Sequence, residues 1–329
     1  MPTLNRVQLD LYIYDGTSGT YTDSDRKYTL SKERISSEEY VNFEIAELVR
    51  DFITHEFNND YTSSAKWVTT KAFLFDVDDV QFVSGSPVTN NYIALDGFGY
   101  FEDGINPQGS DNALITNNTI YLPENTAGKL PIFAEGVGKV AMDATETQIT
   151  DSGNSNQKIQ YLTIPANTSS IKVYDTDDST ILKTITVKNI CEPKFTEYKV
   201  TFVNKHGAYQ DIYFFKKSVE SMNVEDERFK TNTIDHSSLT YNTYKGQAER
   251  YNVRATKNIQ LNTGFVNEDF NTAIEELLLS ENIWIRWEGK TLPVLAQTKS
   301  LQYKTSVNDK LINHTLEFEF AYSKINNLR

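Results

Sequence analysis

Apolar and polar residues alternate at the start of the chain. In "VQLDLYIYDG", Val7, Leu9, Leu11 and Ile13 fall on one side and Gln8, Asp10, Tyr12 and Tyr14 on the other, the pattern of a strand with one face on a core. "YVNFEIAELVRDFITHEF" changes period: Val41, Phe43 and Ile45 are spaced as in a strand, while Ile45, Leu48, Val49 and Phe52 follow helical spacing. A strand running into a short helix is predicted. "KWVTTKAFLFDVDDVQFVS" predicts a long strand, a turn at Asp78 and Asp79 and a partner strand. "NYIALDGFGYFEDGINP" predicts an aromatic hairpin with glycines in its turns.

From residue 123 to 190 the pattern shifts to short strands between turn residues: "KLPIFAEG", "GKVAMD", "KIQYLTIP", "SSIKVYD" and "TILKTITVKN". Their spacing predicts a small Ig-like β-sandwich, and the polar loop "TETQITDSGNSNQK" is expected to be mobile. Beyond it, "TEYKVTFVNKHGAYQDIYFFKKS" gives two strands around a turn at Lys205 to Gly207, and "QAERYNVRATKNIQLNT" more extended chain. A helix is predicted over about 268–280, with Asn267 as N-cap, Glu268 and Asp269 in the first turn, and Phe270, Ile274, Leu277 and Leu278 on one apolar face. Trp284 and Trp287, three apart in the next strand, cannot share a face; one is expected on the helix and the other outward. "LINHTLEFEFAY" places Ile312, His314, Leu316, Phe318, Phe320 and Tyr322 on one face.

The predicted fold is mainly β with a few short helices: antiparallel β-sandwich-like modules, each β domain covered by a short helix, with the small sandwich between them. The expected domains are 1–122, 123–190 and 191–329. Tyr and Phe, at 19 and 18 residues, supply most of the aromatics and favour this architecture.

A formal charge of −13 excludes a groove that tracks nucleic-acid phosphates. The first residues, "MPTLNRVQLDLYIYDG", lack the basic head and apolar core of a signal peptide, and no window approaches the roughly 18 apolar residues of a membrane span. The expectation is synthesis in the cytoplasm, without membrane insertion. A single cysteine, Cys191, fits a reducing compartment and is read as a buried or edge thiol.

No residue is nominated as catalytic, cofactor-binding or metal-ligating. Gly138 and Lys139 fall short of a phosphate-binding loop, because Phe133 and Val140 stand where its glycine and hydroxyl belong. His55, His206, His236 and His314 are scattered, and His314 reads as a core or interface histidine. "DVDDV" at 76–80 and "DTDDST" at 175–180 lack the glycine and terminal glutamate of a calcium loop and read as turns. Glu275 and Glu276 read as the solvated face of the helix.

Several phrases together, "VNFEIAELVRDFI", "YIALDGFGYFEDGINP", "YKVTFVNKHGAYQDIYFFKKS", "LNTGFVNEDFNTAIEELLLSENIWI" and "KLINHTLEFEFAYSKINNLR", resemble virion structural proteins of tailed bacteriophages, particularly phages of the Bacteroidetes, including the crAss-like group. The resemblance implies a non-enzymatic neck, tail or baseplate component. Such a protein self-associates into a ring or tube and contacts other virion proteins, with DNA only as passing cargo. A glycan-binding or adhesive β protein is the alternative, in which exposed Trp and the tyrosines around Tyr92, Tyr100 and Tyr241 would be stacking platforms.

Overall fold

A computed structural model describes residues 4–35, 40–82, 87–105, 113–232, 242–302 and 312–325. The chain is mainly β: of the described residues, 47% lie in strands and 7% are helical. It divides into two compact units, one of Met1–Cys191, Thr201–Ile212 and Asp269–Ser280, the other of Glu192–Val200, Tyr213–Glu268 and Glu281–Arg329.

The first unit opens with an antiparallel sheet of β1 (Arg6–Tyr14), β2 (Arg26–Glu33), β3 (Lys66–Phe75) and β4 (Val88–Ala94), ordered β2-β1-β3-β4. Helix α1 (Ala46–Arg50) packs Val49, Leu48 and Phe52 against Leu11, Ile13 and Val68. The extended run predicted before it, Val41 to Ile45, joins no sheet. Central β1 is buried on both faces, not one: Tyr12 and Tyr14 form a second cluster with Trp67. Asp10, predicted outward, is buried and accepts hydrogen bonds from Thr29 at 2.8 Å and Arg26 at 3.2 Å. The predicted partner strand after Asp79 begins with an antiparallel bridge from Gln81 to Phe75, Asp76 N–H donating to Val80 O at 3.1 Å and Phe82 N–H to Leu74 O at 2.9 Å, before the described residues of this segment end at 82. Over its described residues, which end at 105, "NYIALDGFGYFEDGINP" forms no hairpin of its own. Its first part is β4, paired back to β3, and Phe98 N–H donates to Lys205 O at 2.9 Å.

The sandwich has one sheet of β5 (Thr119–Pro123), β7 (Lys139–Met142), β8 (Thr145–Gln148), β10 (Ser170–Tyr174) and β11 (Ile181–Ile190), ordered β5-β11-β10-β7-β8. Its other sheet is β6 (Gly128–Phe133) with β9 (Ile159–Ile164). First strand β5 pairs parallel with last strand β11, while the other pairs are antiparallel; the sandwich has seven strands, as in an Ig domain, but divides them five and two, where the constant-type Ig plan divides them four and three. Leu130, Ile132 and Ile164 from one sheet and Val140, Ile171, Val173 and Ile185 from the other are fully buried.

The loop after β8 is polar as expected but is tied down along its length. Ser18 N–H donates to Asn154 O at 2.7 Å, Asn156 N–H to Gly16 O at 2.9 Å, and the Trp67 indole to Asn154 O at 3.0 Å. Lys158, 3% exposed, binds Asp151 at 2.8 Å and Gly153 O at 2.6 Å. Thr145–Gln148, predicted as loop, is an edge strand.

The second unit contains most of a seven-stranded sheet of β12 (Tyr198–Val203), β13 (Tyr209–Phe214), β14 (Val219–Lys230), β15 (Ala248–Asn262), β16 (Ile283–Trp287), β17 (Lys290–Ala296) and β18 (Thr315–Phe320); Thr201–Val203, Tyr209–Ile212 and the turn that joins them fall in the first unit. Their order is β13-β12-β16-β17-β18-β15-β14. Ile312, His314 and, in β18, Leu316, Phe318 and Phe320 are buried, as the alternation predicts, but Tyr322, just past the end of the strand, is exposed. Glu288 and Gly289, both at positive φ, make the tight turn between β16 and β17.

Helix α2 (Phe270–Leu279) follows Asp269, not Asn267, and Asp269 makes no side-chain cap. Within its own unit, its Phe270 ring meets Tyr121 edge-on at 5.3 Å.

Candidate functional site

Chemistry-bearing residues gather around the turn between β12 and β13. The Asn204 side-chain amide donates to Leu114 O at 2.6 Å and Gln210 Oε1 at 2.9 Å, and its Oδ1 accepts from His206 N at 3.1 Å and Ala208 N at 3.2 Å. Gln210 donates onward to Asn117 Oδ1 at 2.9 Å, and Asn117 to Thr119 O at 2.6 Å. Gly207 is required here: it sits at φ 73°, and a Cβ there would lie 2.8 Å from Asp96 N.

Glu276 is 1% exposed, not solvated. The Thr116 hydroxyl donates to it, as does Lys205 N–H at 3.4 Å, and burial pushes its pKa up despite those bonds. Its neighbour on the helix, Glu275, is only partly exposed. His206 is buried, which, with Lys205 and Lys183 adding like charge, holds its pKa down to about 4. His55 Nε2 lies 3.0 Å from Asp96 Oδ2, and Arg50 Nε donates to Asp96 Oδ1 at 2.9 Å. Burial alone would raise the Asp96 pKa, but those two partners hold it below the ordinary range. The Asn204 cluster is a paired network whose partners are mostly backbone groups, the pattern of a structural lock on a turn.

The other sequence-selected residues fall apart in space. His314 is buried, with its backbone N–H on Thr263 Oγ1 at 3.0 Å, and Cys191 is exposed just past β11. His236 and Tyr241 lie outside the described residues. The Asp-rich segments are turns held by their own side chains: Asp76 accepts from Asp78 and Val80 N–H, and Asp177 from Ser179 and Thr180 N–H, at 2.8–3.0 Å. The Thr180 hydroxyl, which donates to Asp177 at 2.6 Å, and these amide donors keep the Asp177 pKa well below the ordinary range. Gly138 packs backbone to backbone, since a Cβ there would lie 2.6 Å from Asp175 O. Among the described residues no group of three or more His, Cys, Asp or Glu has the arrangement of a metal site.

Neither tryptophan after α2 points freely outward. Trp284 is 8% exposed. Trp287 stacks on Tyr198 of β12 (5.3 Å, 17°), and the Lys257 ammonium of β15, on the other side of β16 in the sheet, sits 4.1 Å from its centroid. Lys257 is also paired with Glu220 at 2.7 Å. Both approaches to the indole are therefore occupied. Of the tyrosines, Tyr92 is half exposed on β4, whereas Tyr100 lies edge-on to Phe98 with Lys205 over its ring. Phe101 is fully exposed.

The most unusual surface was not anticipated from the sequence. β15 pairs with β18 only over Asn258–Asn262, yet continues with β14 to Lys230↔Ala248. Residues Glu225–Lys230 and Ala248–Arg254 thus form a two-stranded ribbon reaching roughly 20 Å past the paired core of the sheet. All of them are exposed except Asp226 and Val253, which are partly so. Asp226 pairs with Arg228 at 2.7 Å and Arg250 at 3.0 Å, and Phe229 meets Tyr251 across the strands at 5.8 Å. Asn252, at φ 49°, is the extra residue of a bulge that bends the ribbon. The ribbon has four acids (Glu225, Asp226, Glu227, Glu249) and four bases (Arg228, Lys230, Arg250, Arg254), net 4 − 4 = 0, on a chain of −13.

No protein-family model matches the chain, and no curated protein sequence is significantly similar to it.

Proposed function

We propose that this chain is a structural component of a tailed-bacteriophage virion, built into the neck, tail or baseplate as part of a ring or tube around the DNA passage. The projecting ribbon carries the reading. An isolated two-stranded ribbon is marginally stable in water, and this one exposes Phe229 and Tyr251 at 47% and 48%. A neighbour that covers those rings completes its stabilisation, which is how a subunit that functions by being assembled presents itself. Its neutrality supports the same reading, because two copies of a strongly acidic chain meet with least repulsion where charge cancels. The acidic remainder suits a wall past which DNA slides without adhering.

The test is quantitative peptide mass spectrometry on density-purified particles beside the cytosolic and membrane fractions of the infected host. The expected result is recovery from particles at a fixed ratio to a major capsid protein. Absence from particles, with enrichment at the cell surface, would overturn the reading and favour the glycan-binding alternative.

A further inference from the structure

We propose that copies of this chain join edge to edge, β4 of one copy adding as a strand to the outer edge of β14 of the next along Val219–Val224. It rests on the assembly reading above and adds a contact on the same strand, beside the ribbon's exposed rings and not on them.

The outermost strands of the three larger sheets are β2, β4, β5, β8, β13 and β14. Those of β5 and β13 are largely buried. Exposed β2 is blunted by Arg26, Lys27, Lys32 and Glu33, and β8 is short, with Glu146 taken by Lys139 at 3.2 Å. Charge and brevity are the usual protections of a strand edge against pairing.

β4 has neither. Val88–Ala94 reads VTNNYIA, without a charge or a proline, and Val88 to Tyr92 are all exposed. On β14 the charges crowd into Glu225–Lys230, while Val219–Val224 holds only Glu220, already paired with Lys257. Val219, Met222 and Val224 are 49%, 57% and 45% exposed, opposite numbers for Val88 and Tyr92 at 44% and 51%. Joining these edges satisfies two rows of backbone groups and pairs apolar with β-branched and aromatic side chains. No charge of either strand meets its like. On a chain of −13 this selects a second copy's uncharged edge over a charged one. Because the two edges differ, the contact is heterologous and repeats head to tail, closing as a ring or continuing as a tube.

The test uses the full chain with Cys191→Ser, cross-linked by a short bismaleimide at its highest soluble concentration. Thr89→Cys with Asn223→Cys is expected to give a covalent ladder. Either cysteine alone should stay monomeric, and the two single variants mixed should give dimers. Adding Asn90→Lys and Tyr92→Lys should abolish the ladder at unchanged melting temperature. Dimers from Thr89→Cys alone would show β4 pairing with itself and overturn the proposal, as would absence of any ladder. Chain present in particles without a ladder would refute edge pairing and keep the virion reading; a ladder in solution with absence from particles would do the reverse.

Discussion

The turn around Asn204 and the ribbon of β14 and β15 are opposites. In the first, polar side chains are buried and paired; in the second, aromatic side chains are exposed beside charges whose partners lie within the ribbon, Asp226 with Arg228 and Arg250 and Glu227 with Asn252. A buried polar network reports what the fold needs, because each missing partner would cost free energy inside the molecule. Exposed aromatic rings on a projecting ribbon report what the fold does not need, so their explanation lies outside the subunit.

The contrast breaks most sharply at Asn204. Asn204→Ala leaves Leu114 O, Gln210 and two N–H groups without their partner, and is expected to cost about 4 kcal/mol in denaturant unfolding. A cost below about 1 kcal/mol would show that water replaces the amide.

His206 gives the next largest effect, through pH. Its folded pKa of about 4 lies below the ordinary 6.5, so between those values the unfolded chain binds more protons. The stability due to neutral His206 is complete above about pH 6.5 and is lost as pH falls towards 4, a change of about 3 kcal/mol. Wild type should lose more stability than His206→Gln over that window; parallel curves would exclude the mechanism.

In the second unit, Trp287→Ala removes the partner of Tyr198 and Lys257 and is expected to cost about 2 kcal/mol. Binding on a glycan array should not change, and lost sugar binding at unchanged stability would make the indole a ligand platform. Phe229→Ser with Tyr251→Ser, on the ribbon, should move monomer stability by no more than about 0.5 kcal/mol. A large drop would make the ribbon part of the fold and remove the contrast. The smallest effect is expected from EDTA, which should leave melting unchanged because Asp76 and Asp177 are satisfied by backbone N–H groups; a marked fall would make those turns metal sites.

Where one face of a strand meets a core, the sequence announces it: Val7, Leu9, Leu11 and Ile13 of β1, Leu316, Phe318 and Phe320 of β18, and Phe270, Ile274 and Leu277 of the helix are buried as their spacing predicts, while Leu278 and Tyr322, placed on the same faces, are not. Three features were hidden for physical reasons. Tyr12 and Tyr14 serve equally as a wet face or a second core, and only Trp67, from β3, decides. Glu276 looks solvated until Thr116, 160 positions away, supplies its hydrogen bond. β14 escapes because its charges leave no apolar row to detect, since neither face of the ribbon is covered. The candidate site was therefore the least legible part: its signal is the exposure of an element whose existence the pattern does not reveal.

The loop after β8 has a consequence for proteases. Cleavage requires a stretch of chain to leave the surface and thread an enzyme's cleft, so it reports local opening. Residues 150–158, rich in Ser, Gly, Asn and Gln, have the composition of a favoured nick site. Their backbone is bonded to Gly16, Ser18 and the Trp67 indole, and the one tryptic residue among them, Lys158, is buried. Trypsin should therefore spare this segment until the unit itself opens, and its cutting rate there becomes a clock for the unfolding of the first sheet.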